Sequence, residues 1–540
     1  MSLPSDKKTG NYLPALIFVV GFRLLLTFYW LARFGGFWLE SDTSRTTVSI
    51  QAVLNSGALA PAGQRVYSAG FLYQVYGTVL SLLTGLSVQE IQRWTMPLVG
   101  ILITLMAFTF YLNVFKNPVA AAIAVTLLNL QGDFILTTMR SSHEKLDYLL
   151  IFGALLVLAL SVKWFDSLHE RISLAIIYYL FILAENTSNV FFASTFTAML
   201  ILSFLLWRLL ASFARRPDPG ASWLVYVAII STVFTFVMVF VWYPPALSLV
   251  YVAGNLADRV RLFLFSPVEA PAGALDLANS SWVLPNSWLW LRVFDIVLLA
   301  TAGVGWIYLV AKMRSDGLAG SNTSNKTSDY FWLIILLPAF AFQNFALIFS
   351  DLTGSVGQIN NLQIRMIPLT VFVAAPLSTY TLLRFLGWMR SKNALFRGTI
   401  VVALFSLLLT FLITGLIKGT SEPVLSNIWL FYTPAEYTGV RWLNQTIPLV
   451  AHDALPHSPL VLGDSEGRLG RLWLDQFWGP KQDFLPVVYK QSDPYNYLFL
   501  SPAIRISNDR FRIPSPDLRR DSLIYTNGPV EIYLHTPEEP

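Results

Sequence analysis

The chain has 540 residues, of which 55% are hydrophobic and only 13% charged, with a mean hydropathy of +0.56 and a formal net charge of +5. Soluble globular proteins carry about 25% charged residues, so the composition excludes an ordinary soluble protein and indicates a membrane protein. The absence of cysteine excludes disulfide bonds, thiolate metal sites and a cysteine nucleophile. The basic residues lie mainly between apolar runs, so the positive charge does not indicate nucleic-acid binding.

Apolar runs, most of them close to the ~20 residues that a bilayer requires, follow one another from residue 12 onwards. The first run comes after Lys7 and Lys8, is too long for the core of a signal peptide and lacks a cleavage site, so a retained span is predicted. The predicted spans are 12–32, 94–115, 118–137, 147–163, 172–185, 188–208, 223–243, 289–311, 330–350, 364–386 and 397–417.

One further apolar segment, 67–86, could either cross the membrane or lie along its surface. Cytoplasmic loops are enriched in Lys and Arg. With eleven spans and a cytoplasmic N-terminus, the inner loops carry the basic residues Lys116, Lys163, Arg171, Arg208, Arg215, Arg216, Lys312, Arg314, Lys326, Arg390, Lys392 and Arg397. A twelfth crossing at 67–86 would place these clusters outside. The pattern therefore favours eleven spans and a large outer loop, 33–93, with interfacial helices near 46–59 and 67–86.

After residue 418 the chain changes character and becomes rich in Pro, Asp, Arg and Tyr. Short strand-like runs appear, and Asn527-Gly528 between β-rich flanks is a strong hairpin signal. We therefore predict a mainly α, multi-pass membrane protein with two parts: a transmembrane domain, 1–418, and a small extracytoplasmic α/β domain, 419–540.

The first group of candidate functional residues follows the first span. Glu40 and Asp42 are separated by one serine, and Arg45 lies close behind. Two carboxylates at this spacing can act as a general base and its hydrogen-bond partner, or can share a divalent cation such as Mg²⁺ or Mn²⁺. The alternative is a solvated loop in which Asp42 or Thr43 caps the following helix. The residues alone leave both interpretations open.

A second group stands at the outer start of the fourth span and consists of Arg140, His143, Glu144, Lys145 and Asp147. Ionisable residues at membrane depth are rare and usually functional. On a helix, Arg140 and Glu144 share a face at a spacing of four residues, as do His143 and Asp147. Ordinary ion pairs at the end of a span would explain two charged residues of opposite sign, but they explain a cluster of five charged residues less well. His143 is either a metal ligand or a hydrogen-bond partner.

Three further charged residues are candidates for a functional role. Arg365 opens the tenth span, where an arginine can bind phosphate through two parallel hydrogen bonds; the alternative is snorkelling of its side chain to the interface. Arg23 lies inside the first span and is expected to pair with an acid. Glu185 with Asn186, at the outer end of the fifth span, is a lesser candidate. Together the groups place carboxylates and cations around one outer cavity, which suits chemistry on an anionic lipid head group.

The order of these features resembles the GT-C superfamily of polyprenyl-phosphate-dependent glycosyltransferases, which includes protein O-mannosyltransferases, the aminoarabinose transferase of lipid A and Rgt-like sugar transferases. The resemblance covers most of the chain in architecture through short motifs. These motifs are FRLLLTFYWLARFGGFWLESD (22–42), the segment 68–100, RSSHEKLDYLL (140–150), IRMIPLTVFVAAP (364–376) and TPAEYTGVRWLNQTIP (433–448).

The chain also departs from the pattern of that superfamily. Its first-loop motif is often Asp-Glu or Asp-Asp, whereas Glu40-Ser41-Asp42 stands here and leaves open which carboxylate is the base. Met366 occupies a position where an aromatic residue is common. The chain has no stretch like the W-W-D-Y-G motif of the oligosaccharyltransferase branch, which argues against transfer of a whole glycan to asparagine.

The resemblance implies an inverting sugar transfer on the extracytoplasmic face. Asp42, or Glu40 instead, would deprotonate an acceptor hydroxyl, while Arg365, with Arg140 and Lys145 next, would bind the donor phosphate. His143, Glu144 and Asp147 would form a second acidic site that orients the acceptor or helps to hold a metal. The implied partners are a polyprenyl-phosphate-linked sugar and a glycan, lipid or protein acceptor; no cofactor is certain, and a divalent cation is an open prediction. The competing interpretations are a multi-span transporter or lipid flippase, and a scaffold subunit.

Overall fold

The computed structural model describes residues 12–33, 41–59, 70–141, 143–161, 168–214, 221–243, 285–318, 331–352, 362–419, 433–454, 461–462, 487–488, 497–502, 504–505, 518 and 521–535. This part of the chain is mainly helical. The helices are α1 (Leu13–Arg33), α2 (Ser41–Ser56), α3 (Leu72–Thr84), α4 (Val88–Glu90), α5 (Val99–Phe115), α6 (Pro118–Leu130), α7 (Gly132–Met139), α8 (Glu144–Ser161), α9 (Leu168–Ser188), α10 (Val190–Ala214), α11 (Ala221–Val237), α12 (Pro285–Leu318), α13 (Phe331–Leu352), α14 (Leu362–Met389), α15 (Ala394–Gly419) and α16 (Pro434–Ala454).

Six helical segments within the described residues are long and apolar enough to cross a membrane: Leu13–Arg33, Val88–Phe115, Val190–Leu210, Val293–Ser315, Arg365–Met389 and Ala394–Ile417. The chain is therefore an integral membrane protein. Each of the eleven predicted spans coincides with a helical segment. Their number as true membrane crossings, and the side on which the N-terminus lies, stay predictions.

The third predicted span, 118–137, is not one straight helix. α6 and α7 meet at a bend of 76°. Gln131 leaves the helical conformation there, and its side-chain oxygen accepts the backbone N–H of Phe134 at 2.5 Å, which caps the start of α7. The sequence prediction overlooked this break, although Gln131-Gly132-Asp133 interrupts the apolar run there. A capped break of this kind allows backbone to change direction without leaving amide groups unpaired in an apolar interior.

The ambiguous segment 67–86 contains α3, which has 13 residues. At 1.5 Å per residue such a helix is about 20 Å long, which is shorter than the ~30 Å hydrocarbon core. α3 packs against α2. This length agrees with the predicted interfacial helix rather than with a twelfth crossing.

The core of the bundle is built from apolar and aromatic side chains around α14, which packs against α12, α13 and α6. The Phe152 ring of α8 stacks on the Phe372 ring of α14 with centroids 3.8 Å apart. The hydroxyl of Tyr111 on α5 donates to the Phe372 carbonyl at 2.6 Å. Interhelical hydrogen bonds of this kind supplement van der Waals packing, which is the main attraction between helices in lipid. α8 and α14, which carry the charged candidates, are thus packed against one another.

The described part of the C-terminal region contains a five-stranded sheet of order β2-β1-β3-β5-β4. Its strands are β1 (Val461–Leu462), β2 (Val487–Val488), β3 (Tyr497–Leu500), β4 (Asp521–Thr526) and β5 (Glu531–His535). The predicted hairpin is confirmed, because β4 and β5 pair antiparallel and Gly528 in the connection has a φ of 93°. Tyr437 and Val440 of α16 share an apolar core with the sheet. This arrangement is the small α/β unit that the sequence indicates.

Arg23 is completely buried in the middle of α1. Its guanidinium donates to Asn129 Oδ1 at 3.2 Å and to Thr138 Oγ1 at 2.6 Å, and it lies 5.5 Å from the centroid of the Phe134 ring. The prediction of an acidic partner is wrong within the described residues, where amide, hydroxyl and aromatic groups surround the charge instead. Arg23 therefore joins α1 to α6 and α7.

We expect Gly100→Ala to destabilise the protein by about 1–3 kcal/mol, the usual cost of overpacking a filled interior. A methyl group at Gly100 would overlap the guanidinium of Arg23, which its hydrogen bonds hold in place. The measurement is the thermal midpoint of unfolding of the purified protein. Gly303→Ala on α12 is the matched control, because nothing lies within 4 Å of an added methyl there. Equal midpoints for the two variants would contradict this packing.

Candidate active site

Glu144, the first residue of α8, is fully buried and is the centre of a group of charges. Its Oε1 lies 2.5 Å from Nη2 of Arg140 and 3.2 Å from Nε of Arg365. Nδ1 of His143 is 3.8 Å from its other oxygen. The predicted contact between Arg140 and Glu144 is present, but not on a shared helix face, because Arg140 has an extended backbone between α7 and α8. The contact with Arg365 brings together two predicted groups that are far apart in sequence.

Arg365 has the most exposed side chain of this group. Its side chain is 19% exposed, compared with 9% for Arg140, 2% for His143 and 0% for Glu144. The hydroxyl of Tyr148, one turn after Glu144 on α8, donates to the backbone carbonyl of Arg365 at 2.6 Å. One side chain of α8 thus fixes the backbone of Arg365 while another holds its guanidinium. Sequence reasoning missed Tyr148, whose spacing of four residues from Glu144 was the available signal.

Helix α2 is joined to the same charged group through a polar network. The hydroxyl of Thr46 donates to the carbonyl of Ser141 at 3.3 Å. The side-chain amide of Gln92 donates to Thr46 and Thr47 at 3.3 Å each, and its carbonyl oxygen accepts the hydroxyl of Tyr73 at 2.6 Å. Ser141 in turn donates to the backbone carbonyl of Gln92. Ser141, which precedes α8, is therefore in direct contact with Thr46 in α2.

This contact indicates where the backbone of Asp42 lies. Asp42 belongs to the first turn of α2, one helical turn before Thr46; four residues of α-helix span about 6 Å. Its side chain, like all of Glu40, lies outside the described residues. Capping by Thr43 is wrong, because Thr43 lies inside the helix and its buried hydroxyl has no hydrogen-bond partner within the described residues. The backbone of Asp42 is thus close to the segment that carries Arg140 and Glu144.

The other members of the second predicted group are also buried at the start of α8. Asp147 accepts a hydrogen bond from the hydroxyl of Ser188 at the end of α9. Lys145 is fully buried. His143 and Asp147 were predicted to share a helix face, but His143 precedes α8, and its ring lies beside Glu144. Within the described residues no group of three His, Cys, Asp or Glu side chains has the arrangement of a metal site.

A second polar group, unforeseen from the sequence, occupies the bend between α6 and α7. The side-chain amide of Gln131 donates at 2.9 Å to both Asp133 and Asp295. Both carboxylates are buried, and Asp295 belongs to α12. The signal in the sequence was the interruption Gln131-Gly132-Asp133 within an apolar run. These hydrogen bonds stabilise the bend, because they connect it to α12.

No protein-family model matches the chain, and no functionally curated protein matches it. Comparison with solved structures shows that its fold is similar to that of an archaeal oligosaccharyltransferase. The chain is similar to the oligosaccharyltransferase AglB of Archaeoglobus fulgidus in complex with an inhibitory peptide and a dolichol-phosphate, with a TM-score of 0.54 and 12% identity over 88% of this chain and 64% of that chain.

The apo form of the same oligosaccharyltransferase gives a TM-score of 0.53 and 15% identity, again over 88% of this chain and 64% of that chain. The chain thus spans less than two thirds of the length of this neighbour. ArnT from Cupriavidus metallidurans matches over 97% of this chain and 99% of its own, with 13% identity and a TM-score of 0.39. A TM-score of 0.39 does not establish a common fold.

Proposed function

We propose that this chain is a membrane glycosyltransferase that transfers a sugar from a polyprenyl-phosphate donor to an acceptor hydroxyl on the extracytoplasmic face. The observation that carries the proposal is the ion pair of the partly exposed Arg365 with the buried Glu144, three residues after Ser141, which accepts a hydrogen bond from the helix that carries Asp42. A cation held in place at the edge of an apolar bundle is suited to an anionic lipid head group.

Arg365 is proposed to bind the phosphate of the donor, with Arg140 behind it. Glu144 contacts both arginines and so restricts their orientation before a ligand arrives. As the bond between sugar and phosphate breaks, negative charge accumulates on the leaving polyprenyl phosphate. Cations that are already oriented stabilise such a charge most, since no reorganisation is needed. The archaeal oligosaccharyltransferase has been solved with dolichol-phosphate, a ligand of this same chemistry.

Asp42, with Glu40 as the alternative, is proposed to act as the general base. The acceptor hydroxyl gives its proton to the carboxylate, and its oxygen forms a bond to the anomeric carbon. The bond between that carbon and the phosphate oxygen breaks on the opposite side, and polyprenyl phosphate leaves with the electron pair, which inverts the anomeric centre. The contact between α2 and Ser141 supports this assignment, because it holds the helix of Asp42 beside the charged group.

A divalent cation, Mg²⁺ or Mn²⁺, is the cofactor proposed for the acidic residues. Carboxylate oxygens are the ligands that both ions prefer, and the neighbouring oligosaccharyltransferase has also been solved with Zn and sulfate. His143, Glu144 and Asp147 keep their proposed role as a second acidic site that orients the acceptor. No step of the proposed transfer is assigned to a metal.

The main alternative is a transporter or lipid flippase, for which buried charges are equally expected. A single assay separates the two functions. Vesicles containing the purified protein are loaded with a lipid extract that includes polyprenyl-phosphate sugars and an acceptor fraction, and polyprenyl phosphate is measured by mass spectrometry. We expect release of polyprenyl phosphate that depends on the protein. A flippase would move the intact lipid and release none, which would overturn the proposal.

The proposed orientation can be tested because the chain contains no cysteine. Single cysteines at Ala58, after α2, and at Lys392, between α14 and α15, replace exposed residues in predicted outer and inner loops. We expect a membrane-impermeant maleimide to label Ala58→Cys in intact cells and Lys392→Cys only after permeabilisation. The opposite pattern would place the charged group on the cytoplasmic side. The C-terminal domain, 419–540, is likewise proposed to lie outside.

A further inference from the structure

Three basic residues are clustered where α14 ends and α15 begins. Arg390, Lys392 and Arg397 lie within eight positions of one another, and all three are exposed. None of them forms an ion pair within the described part of the chain. The sequence has no Asp or Glu from residue 352 to residue 421, so no acid close in sequence balances their charge. The cluster therefore presents a net positive charge.

Aromatic side chains accompany this basic cluster. Nζ of Lys392 lies 4.6 Å from the centroid of the Trp388 ring. The rings of Phe385 and Phe396 have their centroids 5.7 Å and 6.3 Å from that of Trp388. Trp388 is 51% exposed. Tryptophan is enriched where a membrane protein meets the lipid head groups, so the cluster is expected at the head-group level of the bilayer.

The basic cluster lies at the opposite end of α14 from Arg365. α14 (Leu362–Met389) has 28 residues and is therefore about 42 Å long, which exceeds the ~30 Å thickness of the hydrocarbon core. Arg365 is in its first turn, and Arg390 follows its last residue. The basic cluster is thus on the other face of the membrane from the candidate active site and plays no part in the proposed transfer.

An open groove begins two residues after Lys392 and follows one face of α15. Its volume of about 550 Å³ lies in the range of ligand pockets. The lining residues recur at a spacing of four and extend for about 12 Å along the helix: Ala394, Leu395, Gly398, Thr399 and Val402. A methyl group added at Gly398 would meet no atom within 4 Å.

The surroundings of the groove are apolar. The span Ala394–Ile417 has a mean hydropathy of 2.8, and only 11% of its most apolar window is buried within the described protein. Leu395, on the groove, is 83% exposed. The groove therefore opens towards lipid chains, and it starts at the basic cluster.

We propose that the groove and the basic cluster together bind one anionic phospholipid of the bilayer. Its phosphate contacts Lys392 and Arg397, and one acyl chain lies in the groove over Gly398. Side chains of a helix lean towards its N-terminus, which directs Arg397 towards the level of Lys392. The positive charge favours an anionic over a zwitterionic head group, and the apolar groove favours a lipid over a soluble anion. The site is independent of the proposed function.

The charge requirement is tested by native mass spectrometry of the purified protein with phosphatidylglycerol, which is anionic, and with phosphatidylcholine, which is zwitterionic. We expect the wild type to bind one phosphatidylglycerol more tightly than phosphatidylcholine. Lys392→Gln and Arg397→Gln should each weaken this binding about fivefold, the contribution of one basic residue near an anionic lipid surface. Equal affinities of the wild type for the two lipids would overturn the inference.

Arg208→Gln on α10 is the matched control for charge. Arg208 is exposed and lies over an aromatic ring, that of Phe204, at 5.5 Å, as Lys392 lies over Trp388. Its replacement should leave phosphatidylglycerol binding unchanged, and an equal loss would overturn the inference. Arg365→Ala should also bind phosphatidylglycerol as the wild type does. A loss in that variant would place the lipid in the proposed donor site instead.

Gly398→Leu tests the groove. Its side chain enters space that is open in the structure, so we expect weaker binding of phosphatidylglycerol and an unchanged thermal midpoint of unfolding without added lipid. Gly303→Leu on α12 is the control, since an added methyl there also meets no atom within 4 Å. Unchanged binding in Gly398→Leu would contradict the proposed site. A dimer of the wild type that Gly398→Leu abolishes would assign the groove to a second copy of the chain and would also overturn it.

Discussion

Replacement of Asp42 by Asn is expected to slow sugar transfer by at least about a hundredfold, the lower end of what a positioned general base contributes. Asparagine has nearly the same shape as aspartate but cannot accept the proton of the acceptor hydroxyl. Binding of the donor phosphate is expected to persist, because Arg365 and Glu144 are unchanged. The measurement is the release of polyprenyl phosphate by membranes that contain equal amounts of each variant.

Glu40→Gln and Glu531→Gln complete this experiment. Glu40 is the alternative base two residues before Asp42, and Glu531 lies in the C-terminal sheet, paired with Arg505. Loss of transfer in Glu40→Gln with full transfer in Asp42→Asn would move the role of base to Glu40. Full transfer in both variants would remove the first acidic pair from the mechanism. Glu531→Gln should behave as the wild type.

Replacement of Arg365 by Ala is expected to weaken binding of polyprenyl phosphate by about 2 kcal/mol, or roughly thirtyfold, as for a hydrogen bond to a charged group. The change removes the exposed cation and also leaves Glu144 with one arginine fewer, since Oε1 contacts Arg365 at 3.2 Å. Arg365→Lys should restore only part of the affinity, because an ammonium group lacks the planar pair of donors that fits phosphate.

The same helix offers a matched control for this second prediction. Arg384 on α14 lies over the ring of Tyr308, with its guanidinium carbon 3.7 Å from the ring centroid, and has no place in the proposed site. Arg384→Ala removes an equal charge and should leave lipid-phosphate affinity unchanged. The assay is native mass spectrometry of the purified variants with polyprenyl monophosphate. An equal loss in Arg384→Ala would show that Arg365 acts only through the general charge of the protein.

Local features of the chain were predictable because they depend on residues close together in sequence. The hairpin at Asn527-Gly528 follows from turn chemistry. The contact of Arg140 with Glu144 follows from their closeness in sequence, although Arg140 precedes α8 and does not share a helix with Glu144. Both are present. The sequence likewise favoured an interfacial helix at α3, because a further membrane crossing there would place the basic loop residues outside.

Other features depend on packing between distant helices. Glu144 belongs to α8 and Arg365 to α14. No pattern within either segment of the sequence indicates that these two side chains are in contact. Arg23 was expected to have an acidic partner, but amide and hydroxyl groups of α6 and α7 surround it.

The central claim is that the chain consumes a polyprenyl-phosphate sugar, and the most direct test compares cells that express the wild-type protein with cells that lack it. Lipid-linked sugars and surface glycans of both are measured by mass spectrometry. The account predicts that cells without the protein accumulate one polyprenyl-phosphate sugar and lose one sugar from a surface glycan, lipid or protein. It also predicts that Asp42→Asn fails to reverse these changes. Identical lipid-linked sugars and identical surface glycans in both kinds of cell would contradict it.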